Sequence, residues 1–269
     1  MAATTRTIVL LLLPLIYFVY IIQIIHREQQ NRYALLSVQA RVMASAVEQC
    51  RKRLIASESA GEDSLRPGGK PFARVVLNRA LHPVFESGPA MPLPSAAFLA
   101  AIWRGRTLAE PIVANGQAFW RVGRAFGSVQ NPQAELLYFP FFAQVKSALP
   151  KGFYLRGLHL GLWINDRLIT EAGADSVPVA LTLPSALLRR VTKQELTWTG
   201  MLESVHQRFY AAAFPVKDFD MWEVTGIFLI YRAAPGRLSF LWRAVTLPSA
   251  LLGLTTILMT GLFTLKKLK

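Results

Sequence analysis

The chain has 269 residues, is 52% hydrophobic, and carries 30 Lys+Arg against 16 Asp+Glu for a net charge of +14. That apolar content excludes intrinsic disorder, and the length allows one large or two small domains. The lone Cys50 excludes an intrachain disulfide and is silent about redox compartment.

In chain order, the first element is an uncharged run of nineteen residues, Thr7 to Ile25, bounded by Arg6 and by His26-Arg27-Glu28. It is about the length a bilayer core requires, and no small-x-small cleavage site follows, so a retained membrane helix is expected at 7–25. No Gly or Pro occurs between Leu15 and Ala60. A stalk helix is therefore expected to continue over 26–58. Its stripe of Leu36, Ala40, Met43, Val47, Cys50 and Leu54 alternates fours and threes. Such a stripe packs on one partner, either a second copy in a parallel homodimer or the helix's own domain. The polar stretch Ser59 to Pro71, "SAGEDSLRPGGKP", ends the helix.

Two similar blocks follow. "ARVVLNRALHPVFESG" (Ala73 to Gly88) and "GLWINDRLITEAG" (Gly161 to Gly173) each read as two short strands about a turn at an Asn. Each is followed by a Pro-Ser helix start, "PSAAFLAAIWRG" and "PSALLRRVTKQ", where Pro suits the first turn and Ser can accept from its amides. Three further strands complete each block, ending in "ELLYFPFFA" and "EVTGIFLIYR". Asn78 and Asn165, Phe119 and Phe209, and Glu135 and Glu223 recur at nearly constant offset. The expected fold class is α+β: a long N-terminal helix and two antiparallel-sheet modules at 72–145 and 153–232. A second uncharged run, 244–265, predicts a returning membrane helix, closed by Lys266, Lys267 and Lys269.

With two spans the termini share a side, and the terminal lysines make that side cytoplasmic. The bulk of the chain is then expected outside the cytoplasm. Four basic residues (Arg6, Lys266, Lys267 and Lys269) lie outside His26–Arg243, which leaves +10 of the +14 on that segment. An anionic ligand, an acidic partner or anionic lipid would be drawn to it. Nucleic acid is argued against by the spread of Arg through strands and by the topology. His26, His82, His159 and His206 lie in separate segments without metal-ligand spacing, and no phosphate loop, nucleophile elbow or carboxylate pair stands out. No enzyme and no cofactor are expected. Asp218 and Asp220 in "KDFD" read as a solvated hairpin turn.

An inner-membrane anchor, a long helix, two PAS-like modules and a returning membrane helix resemble the double Cache sensory domains of bacterial chemoreceptors, sensor kinases and cyclases. The closest residues are "LWINDRLITEAG" and "LTWTGMLESVHQRFYAAAFPVKDFDMWEVTGIFLIYR" of the second block. The likeness runs over about 25–269. The first block has no clear match to the Tyr, Arg, Trp, Tyr, Asp set of amino-acid-binding members, so those ligand residues do not transfer. After Leu265 only Lys266, Lys267, Leu268 and Lys269 follow, where a sensor continues into an output domain. The resemblance implies a receptor of a small ligand that signals across the membrane to an output domain or partner outside this chain. The competing reading is an accessory structural subunit of an inner-membrane complex.

In such modules the resemblance implies a pocket between the sheet and the segments crossing it, here in the first, membrane-distal block. The crossing segment offers Trp103, Arg104 and Arg106, and the central strand offers Trp120, Arg121 and Arg124. Flat apolar walls with forked donors suit a carboxylate or phosphate. Arg121 and Arg124 must face opposite ways, and Arg124 shares a face with Trp120. The candidate ligand residues are therefore Trp103, Arg106, Trp120, Arg124 and Tyr138. The matching strand of the second block, "FYAAAFPV", is uncharged and predicts a packed, structural module.

Overall fold

The structure is a computed structural model that describes residues 2–60, 70–128, 131–153, 155, 157–171, 181, 183–204 and 207–234. The chain divides into two compact units, Met1–Leu35 with Ala234–Lys269, and Leu36–Ala233. Helix α1 spans Ala2–Ala60. Glu28 and Arg32 pair at 2.6 Å one turn apart on it. The side chains of Ile16, Phe18, Val19, Tyr20 and Ile22 are exposed. Among the described residues no helix is long and apolar enough to cross a membrane. The first part of the 7–25 run, for its side chains, and the whole 244–265 run lie outside those residues.

The second unit holds two five-stranded antiparallel sheets. The first comprises β1 (Ala73–Leu77), β2 (Pro83–Ser87), β3 (Leu108–Ala114), β4 (Gln117–Ser128) and β5 (Asn131–Pro140), in the order β2-β1-β5-β4-β3. The second comprises β6 (His159–Ile164), β7 (Arg167–Thr170), β8 (Trp198–Glu203), β9 (Arg208–Lys217) and β10 (Val224–Ala233), in the order β7-β6-β10-β9-β8. The same order in both sheets is the internal repeat made visible. Asn165 and Asp166 take the left-handed backbone that a tight hairpin needs, at φ 49° and 59°.

Between β2 and β3 runs α2 (Ala96–Trp103), started as the sequence predicts: the Phe98 amide donates to Ser95 Oγ at 3.2 Å. Its counterpart α4 (Ser185–Leu188) lacks that cap and continues into a π turn over Arg189–Lys193. The stretch "ELLYFPFFA" does not stay extended. Pro140 ends β5, because it has no amide for the ladder, and Phe141 opens a short helix, α3 (Phe141–Ser147).

Each sheet is covered on both faces. On one face of the first sheet, Phe98, Leu99 and Ile102 of α2 pack on Val75, Leu77, Leu136 and Tyr138. Gly123 makes this possible: a Cβ there would lie 2.3 Å from Ile102 Cδ1 and 2.8 Å from Phe98 Cε1. In the second sheet, Leu187 and Val191 pack on Ala211, Ala213, Ile227, Leu229 and Tyr231. On the other faces the two sheets share a core built on α1 and α3. Trp120 stacks on Phe141 at 5.0 Å, Phe141 meets Phe228 at 5.8 Å, and Phe228 stacks on Phe214 at 5.0 Å.

Leu36, Ala40, Met43, Val47, Cys50 and Leu54 are all buried within this unit. The stripe is thus packed on the helix's own domain. Burial pushes the Cys50 thiol up to about 12, against a smaller opposing effect of Arg53.

Candidate functional site

The charged chemistry of the α2 face begins with one cross-strand pair. Glu110 on β3 stands directly opposite Arg121 on β4 and therefore shares its face. Arg121 Nε donates to Glu110 Oε1 at 2.9 Å, Nη2 donates to the same oxygen, and Nη1 donates to the Pro92 carbonyl at 3.1 Å. Tyr138, beside Arg121 on β5, donates its hydroxyl to that same carbonyl at 3.3 Å. The Arg121 guanidinium also lies over the Phe98 ring, 5.1 Å from its centroid. Burial raises the Glu110 carboxyl above its ordinary range, and the Arg121 charge opposes this. Burial likewise raises Tyr138.

The core beside the pair is completed by a residue from the other module. Phe219, in the turn between β9 and β10, packs into the α2 core and meets Phe98 edge-on at 5.2 Å. Three contacts hold that turn in place. Arg51 of α1 donates from Nη2 to the Phe219 carbonyl at 2.6 Å and from Nη1 to Met221 Sδ. Arg106, just past α2, pairs with Asp220 at 2.8 Å. Within the turn, Asp218 Oδ1 accepts the Trp222 amide at 3.1 Å, and Met221 takes φ 64°. The segment "KDFD" is therefore no free solvated turn; its Phe219 and Asp220 are inter-module contacts.

The five sequence-predicted ligand residues fall on two faces. Trp103, half-buried against the α2 core, Arg106 at its rim and Tyr138 within it come together. Trp120 and Arg124 face α1 instead. Arg124 donates to Glu135 Oε2 at 2.6 Å and to the Glu58 carbonyl at 2.6 Å, and Arg74 holds the other Glu135 oxygen at 2.6 Å. It pins the end of α1 to the sheet. α2 crosses the opposite face from Trp120 and Arg124, the face of Arg121, on which Gly123 leaves room for it. That glycine, two positions from Arg121, was the available signal. Glu110, Phe98 and Phe219 were not anticipated.

No protein-family model and no curated protein matches the chain. Among solved structures it is similar to the ligand-binding domain of the amino acid chemoreceptor PctB of Pseudomonas aeruginosa PAO1 in complex with L-Arg. That likeness has 14% identity, covers 83% of this chain and 99% of that one, and has a TM-score of 0.41. It is also similar to the sensor domain of the V. cholerae histidine kinase DctB, at 7% identity over 78% of this chain and 96% of that one, TM-score 0.38. A third is the ligand-binding domain of the Pseudomonas fluorescens chemoreceptor CtaA in complex with L-alanine, at 13% identity over 78% and 93%, TM-score 0.34. The chain itself carries two sheets of the same strand order behind a long N-terminal helix.

Proposed function

We propose that the chain is a membrane-anchored sensor of a small organic acid, with its ligand-binding face on the α2 side of the first sheet. The observation that carries this reading is that Phe219 packs on Phe98, the ring over which the Arg121 guanidinium of the Arg121–Glu110 pair also lies. A ligand with a carboxylate for Arg121 and a cationic or donor group for Glu110 would match both charges and compete with their mutual pairing. Entering there, it would displace Phe219 and so change how the β9–β10 turn is held by Arg51 of α1 and Arg106. The shift is limited to the ligand's difference in affinity for the closed and open arrangements. Anchoring would come from the uncharged runs 7–25 and 244–265, with Leu36–Ala233 in the periplasm and the signal passed to a cytoplasmic output or a partner; the exposed apolar side chains from Ile16 to Ile22 support an anchor in lipid.

The test is a thermal-shift screen of the full chain against small organic and amino acids. Stabilisation that disappears in Arg121→Gln and persists in Arg124→Ala is expected. Stabilisation lost in Arg124→Ala and kept in Arg121→Gln would overturn the site.

A second reading has one observation in its favour. The α2 face is filled by the protein's own side chains, with Arg121 and Tyr138 buried and hydrogen-bonded. That suits an accessory subunit of a membrane complex, in which the face is structural. Copurification with a stoichiometric partner, together with no hit in the screen, would select it.

A further inference from the structure

We propose that the cleft between α1 and the two sheets, on the side away from α2, is a second ligand site built for a small carboxylic acid with an apolar body. The cleft has a volume of about 180 Å³, and its walls are Ala44 and Val47 of α1, Trp120 of β4, and Phe214 and Val216 of β9. An apolar cavity of roughly 150 Å³ is enough to take up benzene, so one aryl or cyclohexyl ring fits.

Two polar groups mark where the acid would lie. Trp120 is 1% exposed, and among the described residues its Nε1 has no acceptor. A buried indole N–H without a protein acceptor is uncommon, and a ligand oxygen that reached it would satisfy it. The other is Arg51, which also lines the cleft and is 7% exposed. Its donors go to the Phe219 carbonyl and to the thioether of Met221, and among the described residues no carboxylate lies within ion-pair distance of it. A thioether sulfur is a weak acceptor, and a carboxylate oxygen in its place would make a charge-assisted bond.

The other charged lining groups are already neutralised. Lys217 pairs with Glu195 at 2.6 Å, and Glu48 pairs with Lys52 at 3.6 Å. The cleft therefore presents a buried arginine on which the carboxylates of Glu48, Asp218, Asp220 and Glu110 act only from beyond ion-pair distance, one unspent donor and an apolar hollow. A neutral hydrocarbon would use only the hollow, and a free phosphate only the cation. Its walls differ from those of the Arg121 face, and Arg51 touches both through the Phe219 carbonyl.

The probe is benzoate, titrated calorimetrically into the full chain, with benzyl alcohol as its neutral counterpart. Benzoate is expected to bind at one site, and benzyl alcohol at least about ten-fold more weakly. Arg51→Met should bring benzoate down to the level of the alcohol. Trp120→Phe should weaken it several-fold and remove its effect on indole fluorescence. Ala44→Phe and Val216→Phe fill the hollow from opposite walls, and each should abolish binding while the protein still unfolds cooperatively. Arg121→Gln should leave binding unchanged. No binding up to roughly 10 mM benzoate would overturn the proposal. So would binding that survives both filling variants, or that is lost in Arg121→Gln alone.

Discussion

Phe219 of the second module and Phe98 of the first meet edge-to-face at 5.2 Å, so the α2 core of one sheet is completed by the turn of the other. An edge-on aromatic pair adds roughly 0.5–1.5 kcal/mol to the burial of the rings themselves. Phe219→Ala should therefore destabilise the protein by about 2–3 kcal/mol, less than for a fully buried Phe because Phe219 keeps some exposure. The same change should raise affinity for any ligand of the Arg121 face. A loss of stability with weaker ligand binding would mean that Phe219 is part of the site's wall and not its plug.

Arg106 and Asp220 hold the same turn from the rim, with side chains 52% and 34% exposed. At that exposure the pair is expected to contribute less than about 1 kcal/mol. A double-mutant cycle on Arg106→Ala and Asp220→Ala measures it. The coupling should fall further as salt is added, since solvent-exposed charges are screened. A coupling well above 1 kcal/mol would show that the closed turn is held electrostatically and not by Phe219.

Arg124 is expected to matter for stability alone. It faces Glu135 and Glu58, both almost fully buried, so Arg124→Ala removes a cation from beside two interior carboxylates, of which Glu135 keeps Arg74. A cost of about 2–4 kcal/mol follows. Ligand response per folded molecule should be unchanged, which calorimetry on the purified variant reads directly.

Much of the architecture was legible because it rests on local patterns. The stalk follows from the absence of breakers, α2 from Pro94-Ser95 before an apolar run, and the duplicated sheet from the spacing of Asn78 and Asn165. The packing side of the stalk was not legible, because an apolar stripe has the same spacing whether it meets a sheet or a second helix. Nor was the Arg121–Glu110 site. Alternation separates Arg121 from Arg124, but only the tertiary seat of α2 says which one is covered. Phe219 lay further out of reach, since nothing local in "KDFDMW" tells that its turn ends in the core of a module more than a hundred residues away.

Cys50 offers a chemical check on the stalk. It lies on the buried stripe with its thiol pushed up to about 12 by desolvation, and the thiolate is the reacting form. Native protein should resist alkylation by a maleimide near neutral pH and label fully once unfolded. Disulfide cross-linking through Cys50 should likewise fail without denaturant. Rapid labelling of the native chain would show that the helix is not packed on its own sheets.

The last prediction concerns pH and the buried pair. Burial raises the Glu110 carboxyl in the folded protein above its ordinary value of 4.5, with Arg121 opposing the shift. The folded state thus holds that proton more tightly than the unfolded chain does. The stabilisation from this group is fully present below about pH 4.5 and is lost as pH rises through the folded value. Glu110→Gln keeps an acceptor for Arg121 but cannot titrate, so that part of the slope should vanish. Thermal midpoints of both proteins, measured from about pH 4 to about pH 7, give the comparison. The wild type should lose stability relative to the variant as pH rises. A wild type that gains on the variant over that range would mean that Arg121 outweighs burial, and that Glu110 is ionised in the closed site at lower pH than its surroundings dictate.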